Sequence, residues 1–172
     1  MKDRKITYVT GISGVGKSTL VREFTKQKLV AIDVDTFSHW EHSESGERNS
    51  WKPGASREFL DTHRWVCDHE ALQKFFKEHN DQDIYVFGVI DNEKDIFPLF
   101  DKMILLECST EVAFKRIDAR EDNDFGKGDT EKEWIKDWKD DFEKDMLALG
   151  AIPVSAEDPV EAVMGNILTV CK

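Results

Sequence analysis

A glycine-rich segment near the start of the chain carries the most specific chemical pattern in the sequence. Residues 11–19 read Gly-Ile-Ser-Gly-Val-Gly-Lys-Ser-Thr, which satisfies G-x-x-x-x-G-K-[ST]. Glycines let the backbone curl until its N–H groups face phosphate oxygens, and the start of a helix adds partial positive charge. The residues expected to bind a nucleoside triphosphate are Gly11, Ser13, Gly14, Val15, Gly16, Lys17, Ser18 and Thr19. A glycine-rich turn without a ligand is the alternative, but an apolar run before the segment and a helical pattern after it favour the phosphate site.

Two carboxylates, Asp33 and Asp35, follow the second apolar run of the chain at positions i and i+2. The carboxyl ends of parallel strands face the ligand crevice of an open sheet. An aspartate there can accept the proton of an attacking hydroxyl or hold water on Mg²⁺. A helix N-cap beside a solvated acid is the competing interpretation.

Two arginines, Arg116 and Arg120, lie four residues apart and therefore on one face of a predicted helix. They precede a polar hinge over 122–129 that contains two glycines. Phosphoryl transfer spreads negative charge over oxygens, and arginines placed by a closing element can neutralise that charge. Surface ion pairs with neighbouring acidic residues are the competing explanation.

The polar stretch 38–55 and the residues after it combine tryptophans with arginines and histidines. Such a mixture suits stacking on a planar ring and holding an anion, and Trp51 and Arg57 are the preferred contacts. Trp65 belongs to the same set, but its spacing relative to Phe59 also fits a core residue. After the third strand, Asp91 and Asn92 are each either a substrate contact or a helix cap.

Alternating apolar runs and amphipathic stretches must position these groups. Helices are predicted between the strands, including a continuous helix from Ser56 to His79 and another over Thr130–Leu149. Five strands separated by helices predict a parallel sheet with helices on both faces, a three-layer α/β/α sandwich. The predicted strands are Ile6–Thr10, Leu29–Asp33, Ile84–Gly88, Lys102–Glu107 and Ala151–Val154.

The glycine-rich segment resembles that of the P-loop NTPases, and its G-x-x-G-x-G-K-S-T form resembles the nucleoside monophosphate kinase-like branch, which includes shikimate and gluconate kinases. The resemblance implies a strand order of 2-3-1-4-5, a lid over about 121–129 and an acceptor-site flap over about 36–65. It implies Mg²⁺ contacts for Ser18 and Asp33, an acceptor contact for Asp35, and transition-state or adenine contacts for Arg116 and Arg120. Gly88 resembles a glycine that approaches the substrate in shikimate and gluconate kinases. An adenylate kinase is doubtful, because the chain lacks that family's Asp-Gly-Phe-Pro-Arg stretch.

Composition excludes several other classes of protein. The 172 residues carry a net charge of −11, which disfavours nucleic acid as a partner. Three dispersed cysteines give no disulfide framework or metal spacing, and no apolar run is long enough for a signal peptide or membrane span. We therefore expect one cytoplasmic domain over residues 1–172, while the oligomeric state stays open.

These patterns predict an ATP- and Mg²⁺-dependent kinase that transfers the γ-phosphoryl group to a small acceptor. Lys17, Asp35, Arg116 and Arg120 are the predicted catalytic residues. A nucleoside or nucleotide acceptor is slightly preferred over a sugar-like or hydroxy-acid metabolite. A polynucleotide 5′-hydroxyl kinase and a regulatory module that hydrolyses ATP without an acceptor are the remaining alternatives.

Overall fold

The first apolar run, Ile6–Thr10, forms the central strand of a parallel sheet, and all five of its residues are buried. The computed structural model describes residues 4–172. The strands, numbered in chain order, are β1 (Ile6–Thr10), β2 (Val30–Asp33), β3 (Ser38–His42), β4 (Arg48–Asn49), β5 (His63–Cys67), β6 (Ile84–Phe87), β7 (Lys102–Glu107) and β8 (Ile152–Ser155). The α-helices are α1 (Lys17–Lys26), α2 (Arg57–Thr62), α3 (His69–Glu78), α4 (Glu93–Ile96), α5 (Thr110–Ala119), α6 (Asp129–Ala148) and α7 (Val160–Cys171). Short 3-10 helices cover Val34–Phe37 and Phe97–Leu99.

The main sheet has the order β2-β6-β1-β7-β8, and all of its neighbouring strands run parallel. Numbered within this sheet in chain order, its strands lie in the sequence 2-3-1-4-5. The α/β class with a five-stranded parallel sheet is therefore confirmed. The carboxyl ends of β1, β2 and β6 lie side by side, so the segments that follow these strands meet at one edge.

Helices pack on both faces of this sheet because β1 buries alternate side chains in opposite directions. Val9 belongs to an apolar cluster with Phe24 of α1 and Ile117 of α5. Tyr8 belongs to a second cluster, which contains Leu72 of α3 and Ile96. This two-sided burial fixes β1, and with it the loop that follows it.

A second sheet of three antiparallel strands, in the order β4-β3-β5, occupies the flap region. The predicted continuous helix from Ser56 to His79 is therefore wrong. The chain leaves the helix at His63, pairs β5 with β3, and re-enters a helix where the Asp68 side chain accepts a hydrogen bond of 3.0 Å from Ala71 N. Pairing with β3 outweighs the local helical spacing, because it satisfies the backbone of a segment rich in aromatic and β-branched residues.

Within residues 4–172, no helix combines the length and the apolar content that a membrane span requires.

Candidate active site

The glycine-rich segment forms the connection between β1 and α1, as the pattern predicted. Gly14 has a φ of +85°, in the left-handed region, and a Cβ at this position would lie 2.4 Å from the carbonyl oxygen of Ala113 in α5. Only glycine fits there, so the loop is held tightly against α5. Because α1 begins at Lys17, its N-terminal partial positive charge borders the same loop.

The side chain of Lys17 lies along this loop. Its Nζ donates hydrogen bonds to the carbonyl oxygens of Gly11, at 2.5 Å, and Ile12, at 2.9 Å. Burial lowers the pKa of Lys17 to about 8, while the nearby Asp33 and Asp35 carboxylates oppose that effect. The two backbone carbonyls thus hold the amine beside the two carboxylates. This position, within the glycine-rich loop, suits a lysine that binds phosphate.

The hydroxyl of Ser18 and the carboxylate of Asp33 meet at the start of α1. Ser18 Oγ lies 3.4 Å from Asp33 Oδ2, and Asp33 Oδ1 accepts a hydrogen bond of 3.1 Å from Asp35 N. Within residues 4–172 no cluster of three or more His, Cys, Asp or Glu residues is suited to hold a metal. A hydroxyl and one carboxylate oxygen do fit Mg²⁺, which usually takes few protein ligands and completes its shell with water and substrate phosphates.

Asp35 lies in the first turn of the 3-10 helix that follows β2, and a flap residue donates a hydrogen bond to its carboxylate. The indole Nε1 of Trp65 donates a hydrogen bond of 2.9 Å to Asp35 Oδ1. Partial desolvation raises the pKa of Asp35, and the neighbouring Asp33 carboxylate raises it further. Asp35 is thus a fixed carboxylate that is exposed to the cavity described below and has an increased affinity for a proton.

The two predicted arginines have different surroundings. Arg116 donates to the carbonyl oxygens of Val15, at 3.1 Å, and Ala156, at 2.9 Å, so it ties the glycine-rich loop to the segment after β8. Arg120 donates to the carbonyl oxygens of Asn123 and Phe125 in the lid region and lies 3.5 Å from Ser13 Oγ. Arg120 therefore connects the lid with the glycine-rich loop.

A buried carboxylate, Glu131, joins the lid to the flap. Its side chain accepts hydrogen bonds from Gly126 N, at 2.8 Å, and Gly128 N, at 3.2 Å, and from the indole Nε1 of Trp51 at 3.0 Å. The ring of Trp51 also lies against that of Phe125, with centroids 5.5 Å apart. The position of the flap is thus coupled to the conformation of the lid.

All these regions border one cavity of about 830 Å³. Its phosphate side is formed by residues 13–20 together with Arg22, Arg116 and Arg120. A second group, here called the flap side, consists of Asp35, Trp40, Trp51, Trp65, Val89, Ile90, Asp91, Glu93 and Phe125. A third group belongs to α6, α7 and the segment before α7, and consists of Trp134, Trp138, Phe142, Ala156, Asp158, Val160 and Val163.

Three of the predicted acceptor contacts are placed elsewhere. Arg57 pairs with Asp61, at 2.9 Å, and with Asp137, at 2.7 Å, outside the residues that line the cavity. Asn92 binds both the N–H and the carbonyl of Cys67, at 3.0 Å each, so its side chain is used to attach β5.

The third of these predicted contacts, Gly88, allows two backbone segments to pack closely together. Its φ is +152°, and a Cβ there would lie 2.1 Å from Val34 Cγ1. Its carbonyl accepts a hydrogen bond of 2.9 Å from the Tyr8 hydroxyl. Gly88 therefore brings the segment after β6 close to the segment after β2, but it does not line the cavity.

Sequence reasoning missed Glu131 as a residue of the site, offered Asp91 as either a polar contact or a helix cap, and favoured a core position for Trp65. Trp65 and Asp91 exchange two hydrogen bonds, Asp91 N to Trp65 O at 2.8 Å and Trp65 N to Asp91 Oδ2 at 2.5 Å. Trp65 belongs to β5, where side chains alternate between the two faces of the strand. That alternation could have indicated its position, but the helical spacing of the surrounding residues obscured it. Glu131 follows Gly128 by three residues, the spacing of a capping box, and this was its available signal.

Comparison with known proteins agrees with this architecture. Residues 8–139 match a family model described as an AAA domain. No curated protein sequence matches the chain.

Solved structures of several kinases share the fold at low sequence identity. Shikimate kinase from Bacteroides thetaiotaomicron has a TM-score of 0.60 and 18% identity, over 97% of this chain and 98% of that one. Deoxyadenosine kinase from M. mycoides with bound dATP has a TM-score of 0.57 and 16% identity, over 98% and 99%. A gluconokinase from Sinorhizobium meliloti 1021 has a TM-score of 0.55 and 12% identity, over 98% and 92%.

Proposed function

We propose that this chain, which belongs to the AAA domain family, is an ATP- and Mg²⁺-dependent phosphotransferase. It would act on the hydroxyl group of a small molecule. The observation that carries this proposal is that one cavity contains both the glycine-rich loop and Asp35, next to an aromatic flap. A phosphate-binding loop accounts for the donor. Asp35 is a fixed carboxylate that binds a proton more readily than an ordinary aspartate does. It therefore accounts for deprotonation of an acceptor hydroxyl. The kinases with the same fold support this proposal at the level of the fold.

The glycine-rich loop would hold the phosphates of ATP. Its N–H groups and the first turn of α1 suit the β-phosphate, and Lys17 is placed to bridge the β- and γ-phosphates. Arg116 would keep the loop in register with the segment after β8 through Val15 and Ala156. The apolar side chains of the third lining group, next to Ala156, offer a surface for the adenine ring.

Ser18 and Asp33 are the residues that would hold Mg²⁺. The bound ion would neutralise charge on the phosphate oxygens during transfer. Asp33 also accepts the N–H of Asp35, so the same side chain fixes the position of the second carboxylate. The two aspartates are thereby given separate roles, one at the phosphates and one at the acceptor.

Asp35 would orient the acceptor hydroxyl and receive its proton. The hydroxyl oxygen attacks the γ-phosphorus, the bond from that phosphorus to the β–γ bridging oxygen breaks, and ADP leaves. The hydroxyl proton passes to Asp35 and from there to solvent. Trp65 holds the carboxylate in place through its indole N–H. Arg120, between the lid and Ser13, is positioned to neutralise the charge that spreads over the transferred group.

The test is ADP formation from ATP and Mg²⁺ with and without a panel of nucleosides, nucleotides, sugars and hydroxy acids, with mass detection of the phosphorylated product. We expect ADP formation that depends on an acceptor and is lost when EDTA removes the metal. Equal ADP formation with and without every acceptor, together with release of inorganic phosphate, would show a hydrolase instead.

A further inference from the structure

The flap side of the cavity carries several carboxylates and tryptophans. We propose that the acceptor bears no phosphate or carboxylate group, and that it is a neutral or positively charged ring compound with a free hydroxyl. This inference rests on the proposed function and deepens it, because it names the substrate class. It distinguishes nucleosides and amino-substituted rings from nucleotides and sugar acids.

The cations that line the cavity all belong to its phosphate side. Within the described chain, the lining lysine and arginines are Lys17 and Arg22 of α1, Arg116 of α5 and Arg120 directly after it. Lys17, Arg116 and Arg120 are hydrogen bonded to backbone carbonyls of the glycine-rich loop, the lid or the segment after β8. Arg22 lies 3.2 Å from Thr19 Oγ1 and 3.4 Å from Asp122 of the lid. These charges suit the triphosphate, and none of them belongs to the flap.

The flap side, by contrast, carries negative charge. Asp35, Asp91 and Glu93 all line it, and no lysine, arginine or histidine is found among the flap-side lining residues of the described chain. Partial desolvation raises the pKa of the Asp91 and Glu93 carboxyls. Asp91 is fixed in place because its carboxylate accepts the N–H of Trp65. A phosphate or carboxylate bound beside Asp91 and Glu93 would meet like charge, and the cations nearest to Asp35, Lys17 and Arg120, lie on the phosphate side where the triphosphate would use them.

Two arginines of the flap, Arg57 and Arg64, are directed away from this surface. Arg64 precedes Trp65 in β5, so its side chain lies on the opposite face of that strand, where it contacts Glu41 at 2.6 Å. Arg57 pairs with Asp61 and Asp137 outside the cavity lining. Arg57, the preferred contact for an anion, and Arg64 are therefore committed to ion pairs outside the cavity lining.

The remaining flap-side surface is aromatic. The ring centroids of Trp40 and Trp65 are 5.4 Å apart, and those of Trp40 and Phe125 are 6.2 Å apart. Trp40, Trp51 and Trp65 also border a smaller opening of about 340 Å³, which His39 borders as well, with its Nε2 3.3 Å from a carboxylate oxygen of Glu41. Indole faces attract flat rings and cations, and a nearby carboxylate strengthens the attraction for a cation. An acceptor that places its ring on these indoles would bring its hydroxyl toward Asp35, which Trp65 contacts directly.

The test compares acceptors in matched pairs that differ by one anionic group. The pairs are each common nucleoside with its 3′-monophosphate, which keeps the 5′-hydroxyl, and glucosamine with muramic acid, which keeps the ring, the amine and the 6-hydroxyl. For the best acceptor family we expect kcat/KM for the neutral or cationic member to exceed that of the anionic member by about tenfold or more. A higher kcat/KM for the anionic member overturns the inference and leaves the proposed function standing. ADP formation that no acceptor stimulates overturns the proposed function itself.

Variants of the two flap-side carboxylates after β6 test the physical cause. Asp91→Asn keeps an oxygen that can accept the N–H of Trp65, and Glu93→Gln removes a charge at the start of α4. Each is expected to lower the preference for the non-anionic member several-fold. Glu44→Gln, which removes a charge from an exposed flap turn outside the cavity lining, should leave the preference unchanged. Melting temperatures establish that each variant folds, and an unchanged preference in folded Asp91→Asn and Glu93→Gln would overturn the electrostatic argument.

Discussion

Replacing Glu131 by glutamine tests whether one buried carboxylate holds the lid and the flap together. Glu131 is 2% exposed and accepts three N–H groups: Gly126, Gly128 and the indole of Trp51. Glutamine has almost the same shape but only one oxygen. Its amide nitrogen must therefore face either the Trp51 indole or the two lid amides, and it leaves at least one donor without an acceptor.

The expected loss follows from the number of acceptor positions. A hydrogen bond to a charged group contributes about 1.5–3 kcal/mol to stability, so the loss of at least one lowers the free energy of unfolding by about that amount. For a protein of this size each kcal/mol lowers Tm by about 2–4 °C, which gives an expected decrease of about 3–12 °C. Glutamine at Glu133, an exposed position of the same helix, is the matched control and should stay within about 0.5 kcal/mol of the wild type.

Thermal unfolding of the two variants, together with Trp51→Phe, gives the measurement. Trp51→Phe removes the indole N–H and keeps a ring against Phe125, so combining it with Glu131→Gln should cost less than the two separate losses added together. The reasoning is refuted if Glu131→Gln and Glu133→Gln have the same Tm, because the carboxylate would then hold neither segment.

Three further results are expected from the site. Asp35→Asn should leave ATP affinity nearly unchanged while kcat falls by about 100-fold or more, and a retained kcat would remove Asp35 from the mechanism. Arg120→Ala should lower kcat far more than ATP affinity; a change in kcat below about threefold would favour a purely structural arginine. Burial lowers the pKa of Lys17 to about 8, so its charge is present below that pH and lost above it. The Kd for ATP, measured by fluorescence titration, should therefore increase as pH rises through about 8, and a flat profile would contradict this.

The glycine-rich loop on the phosphate side of the cavity was predictable because its parts are close together in the sequence. The loop over residues 11–19 lies between a buried strand and a helix, and short-range pattern fixes both. The contact of Asp33 with Ser18 fits the parallel order of β2, β6 and β1, because the carboxyl ends of these three strands lie at the same edge of the sheet. Local residue spacing and the rules of sheet topology together were sufficient here.

The flap was not predictable because its structure depends on pairing over long distances. The segment 63–67 has side chains compatible with a helix, and only the backbone of β3, about 25 residues earlier, makes it a strand. That change of period moves Trp65 from a predicted core position to the Asp35 carboxylate. It also turns Arg64 away from the cavity. The assignment of helical instead of strand periodicity to this segment therefore changed which side chains were predicted to face the flap side of the cavity.

The net charge of −11 has a different meaning on the two sides of the cavity. On the phosphate side, four lining cations lie in or close to helices that border the glycine-rich loop, so the overall charge does not predict the local field. On the flap side, Asp35 and Asp91 are held by hydrogen bonds from Trp65, and the described lining residues of that side include no lysine, arginine or histidine. Like charges in a partly desolvated space exclude an anionic acceptor more strongly than exposed charges on a solvated surface do. If the proposed function holds, the same cavity would select a polyanion at one end and reject one at the other. This division of charge would keep ATP, ADP and other free nucleotides from occupying the position of the acceptor.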